Sequence, residues 1–166
     1  MAQSTIELAP GVALFVEEKT SSHWIATSGT LVILSLAAAS HSDPSHVHSA
    51  AQVVSRAIRR GASAVQLLAL FSPAITKPPS AEVRRAFLDA AHLGPRIDSA
   101  AAVILGEGFS SAIHRGAITG ILTLLGFRST VRVSQSIREG VEHTFRGSET
   151  AARALERYCE ANIARG

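Results

Sequence analysis

Thr30–Leu36 (TLVILSL), Ala64–Phe71 (AVQLLALF) and Ser99–Leu105 (SAAAVIL) are the three stretches that decide the fold. Each is an almost unbroken run of aliphatic and small residues rather than an alternation of apolar and polar ones. A strand that is covered on both faces by other layers has this pattern. We therefore predict that the three stretches are neighbouring central strands of one sheet.

The segments between these strands have helical spacing, which predicts parallel strands joined by helices. The first helix is predicted over about Pro44–Arg60, with Asp43 as its N-cap. A second begins after Ser80, which is also a capping residue, and a third runs from about Ser110 to Leu125. The apolar face predicted for the first helix consists of Val47, Ala51, Val54 and Ile58.

The two ends of the chain complete a single α/β domain over residues 1–166, with a core of about 12–145. Two further strands are predicted at Val12–Glu17 and His23–Thr27, and a turn at Ser28-Gly29 leads into the first central strand. The predicted sheet is therefore mixed, with antiparallel strands at its N-terminal end and parallel βαβ units after them. The remaining predicted elements are a strand at Thr130–Val133, a helix at Ser136–Phe145 and an extra C-terminal helix at about 149–163.

Composition excludes several classes of protein. Of the 166 residues, 46% are hydrophobic and one is a cysteine, which excludes a disordered chain and a disulfide framework. No apolar stretch approaches the roughly 20 residues of a membrane span, and no signal peptide is recognisable, so we expect no membrane association and a cytoplasmic location. The net charge of +3 is too small for a dense basic stripe, which makes a nucleic acid partner unlikely. A weak nucleic-acid binder would use Arg56, Arg59, Arg60, Arg84 and Arg85.

The chain resembles the STAS-like fold of bacterial anti-sigma-factor antagonists, in particular a myxobacterial-type family. The residues that carry the resemblance are Leu105–Phe109 (LGEGF), Ser110–Gly126 (SSAIHRGAITGILTLLG) and Pro78–Ala86 (PPSAEVRRA). It covers about residues 23–145. The resemblance implies a non-enzymatic regulatory or scaffold module that acts through protein–protein contacts. Ser80 stands near the place of the phosphorylated serine of such proteins, but their Asp-Ser signature is absent.

An alternative function is the binding of a small ligand or anion at the start of the third helix. Glu107, Gly108 and Ser110 precede or open that helix, where free N–H groups favour an anion, and Arg115 lies one turn further on. The same residues also fit a tight turn with close packing and a surface cation. Gly116 and Gly120, four residues apart, predict close approach of a neighbouring element.

No catalytic motif is recognisable, so we predict no enzymatic activity, no catalytic residue and no cofactor. The densest polar cluster is His41, Asp43, His46 and His48, in which His-x-His spacing would suit a metal. Residues two apart on a helix face different ways. We therefore predict no metal site and interpret the cluster as a solvated segment that caps the helix.

The C-terminal helix has an apolar stripe formed by Ala152, Leu155, Cys159 and Ile163. A helix with such a stripe must bury it. We expect a homo-oligomer, most simply a dimer through this stripe. The alternative is that the helix docks on the sheet of its own chain.

Overall fold

The computed structural model describes residues 4–106, 109–124 and 131–163. Within these ranges lie seven strands, β1–β7, and five helices, α1–α5. The strands are Ser4–Ala9, Val12–Lys19, His23–Ser28, Leu31–Leu36, Val65–Phe71, Ile97–Ile104 and Val131–Ser134. The helices are Ser45–Arg59, Ala81–Ala90, Phe109–Leu124, Ile137–Thr144 and Glu149–Ile163. None of the helices in these ranges has the length and apolar character needed to cross a membrane.

The seven strands form one mixed sheet in the order of the sequence, β1 to β7. Strands β1–β4 are antiparallel, and β4–β7 are parallel. The prediction that the three apolar stretches are central neighbours is confirmed. Ile33 of β4 pairs with Leu68 of β5, which pairs with Ala101 of β6.

Helices cover both faces of the parallel strands, so the domain has three layers. On one face, Ile33, Leu68 and Val103 belong to the same buried cluster as Val141 of α4 and Leu155 of α5. On the opposite face, Leu34 and Val65 pack with Val53 of α1. Ile104 packs with Ile118 of α3 on this second face, while Val83 of α2 packs on Val47 of α1. The predicted α/β class is confirmed.

Strand β1 was not among the predicted elements. It pairs with β2, so that Ile6 lies opposite Leu14, and it extends the sheet by one antiparallel edge strand. Ile6 and Leu8 pack against the main buried cluster, while the intervening residues are exposed. The turn to β2 contains Gly11 at φ 78°, a conformation that favours glycine.

The C-terminal helix is part of the core, which agrees with the alternative that its apolar stripe docks on the sheet of its own chain. Leu155 and Cys159 have no exposed surface, and both lie in the cluster on the α4 face of the sheet. The stripe therefore docks on its own chain and offers no apolar surface to a second copy. Burial raises the pKa of Cys159 to about 12, so its thiol stays protonated at neutral pH.

Helix α4 lies unusually close to the sheet. A Cβ atom built on Gly140 would clash with Cγ2 of Val103 and would meet Cδ1 of Leu68 at 3.0 Å. The close approach predicted for Gly116 and Gly120 is not found. Both are exposed on α3, and no described atom outside the helix lies within 4 Å of a Cβ at either position.

Candidate functional site

A cleft lies at the carboxyl ends of the parallel strands. Leu36, Phe71 and Ile104, the last residues of β4, β5 and β6, all line it. The cleft has a volume of about 30 Å³. Ligands of α/β proteins bind preferentially at this edge of the sheet, because the loops that follow the strands converge there. We call this site the carboxyl-edge cleft.

Two loops form the walls of the cleft and are tied together by backbone hydrogen bonds. The loop after β4 contains a short 3-10 helix, Ala38–His41, and the loop after β5 is the proline-rich segment of residues 72–80. The N–H of Ser80 donates to the carbonyl oxygen of His41 at 2.7 Å. The N–H of Ser72 donates to the carbonyl oxygen of Leu36 at 3.0 Å. These bonds hold the mouth of the cleft in a defined shape.

His46, in the first turn of α1, is the most deeply buried polar side chain of the cleft. It is 1% exposed, and its Nδ1 donates to the carbonyl oxygen of Asp43 at 2.6 Å. Because a carbonyl oxygen only accepts, Nδ1 carries the proton of the neutral ring, and Nε2 is an acceptor. Burial lowers the pKa of His46 to about 4, so the ring is neutral at pH 7. Nε2 has no hydrogen-bond partner in the described part of the chain.

Asp43 fixes the start of α1 and joins it to the hairpin between β2 and β3. Its carboxylate accepts hydrogen bonds from the N–H of Ser45 at 2.9 Å and from the hydroxyl of Ser45 at 2.8 Å. The hydroxyl of Ser22 in the hairpin donates to the same carboxylate at 2.7 Å. These bonds, led by that from Ser22, lower the pKa of Asp43 to about 2. The carboxylate is therefore ionised at neutral pH.

A second histidine, His23 of β3, lies behind His46, with 6.1 Å between the two ring centroids. Its Nδ1 lies 3.1 Å from the Thr20 hydroxyl and 3.0 Å from the Ser22 hydroxyl. Its Nε2 lies 3.4 Å from the Glu18 carboxylate, but the two groups are not aligned for a hydrogen bond. We therefore interpret this contact as electrostatic proximity only. His23 supports the wall of the cleft from behind.

A second, apolar cavity of about 90 Å³ lies beside the cleft, between the sheet and helices α2 and α3. Ala69 of β5 and Ala100 and Ala102 of β6 form part of its floor. Their small side chains leave space that a Val or Leu would fill. The residues that line both the cleft and the cavity are Leu36, Phe71, Pro79, Phe87 and Ile118. The two spaces are therefore neighbours, one with polar groups at its entrance and the other with an apolar lining.

The polar entrance is formed by Ser40, His41, Ser72 and Lys77. Ser40 and Ser72 are buried, whereas Lys77 is exposed. The hydroxyl of Ser72 accepts a hydrogen bond from the N–H of Ala74 at 3.3 Å, which leaves its own proton free to donate. Nδ1 of His41 lies 2.9 Å from the carbonyl oxygen of Ala38 within its own loop.

Of the predicted site residues, Ser80 and Arg115 are described, and neither is among the residues that line the cleft. Ser80 caps α2 by accepting a hydrogen bond from the N–H of Val83 at 3.3 Å. Glu107 and Gly108 lie outside the described residues, as does the side chain of Ser110. Arg115 is partly buried, and its Nη1 is buried without a hydrogen-bond partner in the described ranges. Arg115 is not among the described residues that line the cleft.

The histidine cluster is not the solvated cap that we expected. Asp43 does bind the first turn of α1, but His46 is buried, and only His48 of the four residues is exposed. The buried face of α1 comprises His46, Val47, Ala50, Val53 and Val54. A signal for His46 was present, because it precedes Ala50 by four residues and Val53 by seven.

The chemistry of the described side chains supports binding rather than metal coordination. In residues 4–106, 109–124 and 131–163, no group of three His, Cys, Asp or Glu side chains is placed to hold a metal ion. The ionised carboxylate of Asp43 is occupied by three hydrogen bonds. The polar groups among the described residues that line the cleft are the imidazoles of His41 and His46, the hydroxyls of Ser40 and Ser72, and the ammonium group of Lys77.

Comparison with known proteins found no matching family model, no similar curated protein and no similar solved structure.

Proposed function

We propose that the chain is a binding module for a small, largely apolar ligand and that the carboxyl-edge cleft is its binding site. The ligand enters at the mouth near Lys77 and extends into the apolar cavity under α2 and α3. This function is the small-ligand alternative that the sequence left open. The proposed binding site differs, because it is the carboxyl-edge cleft and not the start of α3. No catalytic step is part of the proposal.

One observation carries it: the cleft that is lined by the buried imidazole of His46 adjoins a cavity with a floor of alanines. The two spaces, of about 30 and 90 Å³, have room for a chain of several heavy atoms, since one water molecule needs about 10–15 Å³ by the same measure. The interior of the cavity is apolar and holds very few polar groups, which is the composition of a ligand pocket. An acceptor without a partner in the described part of the chain, such as His46 Nε2, can be satisfied by a ligand or by water.

The leading prediction from the sequence was a STAS-like module that acts through protein contacts. It stays a prediction, as do a protein partner, a homodimer and a cytoplasmic location. A ligand site is compatible with such a role, because ligand binding between the sheet and α2 would move surface residues of that helix. Leu88 of α2 and Ile113 of α3 are exposed apolar residues on this side of the domain.

The experiment that tests the proposal fills the cavity with a larger side chain of the protein. Ala102→Leu places a larger aliphatic side chain in the floor, and Ala81→Leu adds the same atoms at an exposed position of α2. Octanol, a short apolar probe, is titrated into both variants and the wild type by calorimetry. We expect binding to the wild type and to Ala81→Leu, and loss of binding in Ala102→Leu.

Chemical denaturation accompanies the titration, because a misfolded variant would also lose binding. Filling an existing void adds buried apolar surface, so Ala102→Leu should be at least as stable as the wild type. Binding of the probe by Ala102→Leu with wild-type affinity would contradict the proposed site. Absence of binding to the wild type would contradict the proposed function.

A further inference from the structure

We infer that the natural ligand is an amphipathic alcohol: its apolar body occupies the cavity, and one hydroxyl group donates a hydrogen bond to Nε2 of His46. This inference rests on the proposed function and adds the chemical class of the ligand. It follows from the hydrogen-bonding roles of the polar atoms that line the cleft.

The hydrogen-bond acceptor of the cleft is Nε2 of His46. The Nδ1 proton of His46 is committed to the carbonyl oxygen of Asp43 at 2.6 Å, so Nε2 has a lone pair and no proton. The ring is held edge-on against Phe87, with 6.1 Å between centroids, which fixes its orientation in the wall. A ligand group that meets this nitrogen must therefore be a hydrogen-bond donor.

Two hydroxyl groups supply the complementary donors. Ser40 and Ser72 line the same cleft and are 3% and 5% exposed. The Ser72 oxygen already accepts from Ala74, and the Ser40 hydroxyl has no partner among the described residues. Each is free to donate its proton. A ligand oxygen that donates to His46 and accepts from a serine is satisfied in both roles, as a hydroxyl requires.

Other polar head groups fit this set less well. A carboxylate has no proton to donate, and its charge would face the lone pair of a neutral imidazole. An ammonium group could donate to Nε2, but its charge would be buried beside apolar walls. An ether could accept from a serine but would leave Nε2 without a partner. Lys77 is exposed at the mouth, where its charge is solvated.

The test uses four probes that share one alkyl chain and differ in the head group: octanol, methyl octyl ether, octanoate and octylammonium. Affinities are measured by calorimetry at pH 7. We expect octanol to bind best and the ether to bind about five- to tenfold more weakly, the value of one hydrogen bond. Octanoate and octylammonium should bind more weakly still, because their charges must be desolvated.

Two variants test whether the preference for octanol over the ether depends on His46. His46→Leu removes the acceptor, and His48→Leu makes the same change at an exposed position two residues away. The preference for octanol over the ether should disappear in His46→Leu and persist in His48→Leu. Ser72→Ala, which keeps the imidazole, should reduce the preference only in part.

Nitrogen NMR of the wild type gives a readout that does not require a variant to fold. The Nε2 resonance should move to the position of a hydrogen-bonded acceptor when octanol is added, and should not move when the ether is added. Equal affinity for octanol and the ether, or tightest binding of octanoate, would overturn the inference while leaving the binding function standing. Failure of all four probes to bind would contradict the proposed function itself.

Discussion

Nδ1 of His46 donates a hydrogen bond to the carbonyl oxygen of Asp43 at 2.6 Å, and this contact decides what the carboxyl-edge cleft can recognise. It places the proton of the neutral ring on the nitrogen that faces the backbone. The other nitrogen is left as an acceptor in the wall of the cleft. A buried histidine on the first turn of a helix thus acts as a fixed polar contact and not as a titrating group at neutral pH.

The buried imidazole predicts a loss of stability in mild acid. The pKa of His46 is lowered from 6.5 to about 4 in the folded state, so between these values the unfolded chain binds more protons than the folded chain. Stability therefore falls as the pH falls through this window, and the linked loss is about 3 kcal/mol. Denaturant unfolding at a series of pH values measures it.

His46→Gln removes this titration and His48→Gln does not. Between pH 6.5 and 4 the wild type and His48→Gln should lose about 3 kcal/mol more stability than His46→Gln. Asp43 contributes only at lower pH, because its pKa is lowered to about 2 from 3.8 and its stabilisation is lost as the pH falls between those values. Parallel curves for all three proteins would contradict the burial of a neutral His46.

Ser22→Ala is expected to loosen the junction between the hairpin and α1. The variant loses the hydrogen bond of 2.7 Å to the ionised Asp43, which is worth about 1–2 kcal/mol at a partly solvated site. The pKa of Asp43 should rise toward 3.8, which carbon NMR of its carboxyl group would measure. Ser21→Ala, at the exposed neighbouring position, should change neither quantity. An unchanged Asp43 pKa in Ser22→Ala would show that the bond does not form.

Glycine-to-alanine substitutions should have opposite effects in α4 and α3. In Gly140→Ala the new methyl group meets Val103 and Leu68, and we expect a loss of about 1–3 kcal/mol. In Gly116→Ala the added group meets no described atom, and the higher helix propensity of alanine should add up to about 1 kcal/mol. Thermal denaturation of the two variants distinguishes them. A stabilising Gly140→Ala would mean that α4 does not approach the sheet so closely.

Truncation of the C-terminal helix stripe tests its place in the core. Leu155→Ala should cost about 2–5 kcal/mol, whereas Arg157→Ala, on the exposed face of α5, should change stability by less than about 0.5 kcal/mol. The oligomeric mass of the folded Leu155→Ala protein should equal that of the wild type, since the stripe contacts its own sheet. A wild-type dimer that Leu155→Ala converts to a stable monomer would restore the interface that we predicted from the sequence.

The sequence predicted the centre of the sheet well, because a strand covered on both faces needs apolar residues at every position. Strand β1 was missed for the opposite reason. Only Ile6 and Leu8 of this edge strand face the core, and two alternating residues are a weak signal. The surface that covers the apolar stripe of the C-terminal helix could not be predicted either. An apolar face shows that a helix is covered, but it does not show whether its own sheet or a second chain covers it.

The site was much harder to predict than the fold. Ser40, His46, Ser72 and Phe87 lie on four separate segments, and only the parallel order of β4–β6 brings them together. The cavity exists because the side chains of Ala100 and Ala102 are small. Alanine is an ordinary strand residue, and its small size leaves a space here only because α2 and α3 lie over it. His46 follows the spacing of the buried face of α1, but its polarity favoured the interpretation as a solvated cap.

A crystal structure of the wild type grown with octanol tests the central claim most directly. We expect electron density for the alkyl chain between the alanines of β6 and Ile118 of α3, with the ligand oxygen within hydrogen-bond distance, about 2.6–3.1 Å, of Nε2 of His46. Density for octanol only on the protein surface, with the cavity collapsed or filled by the chain itself, would contradict the claim.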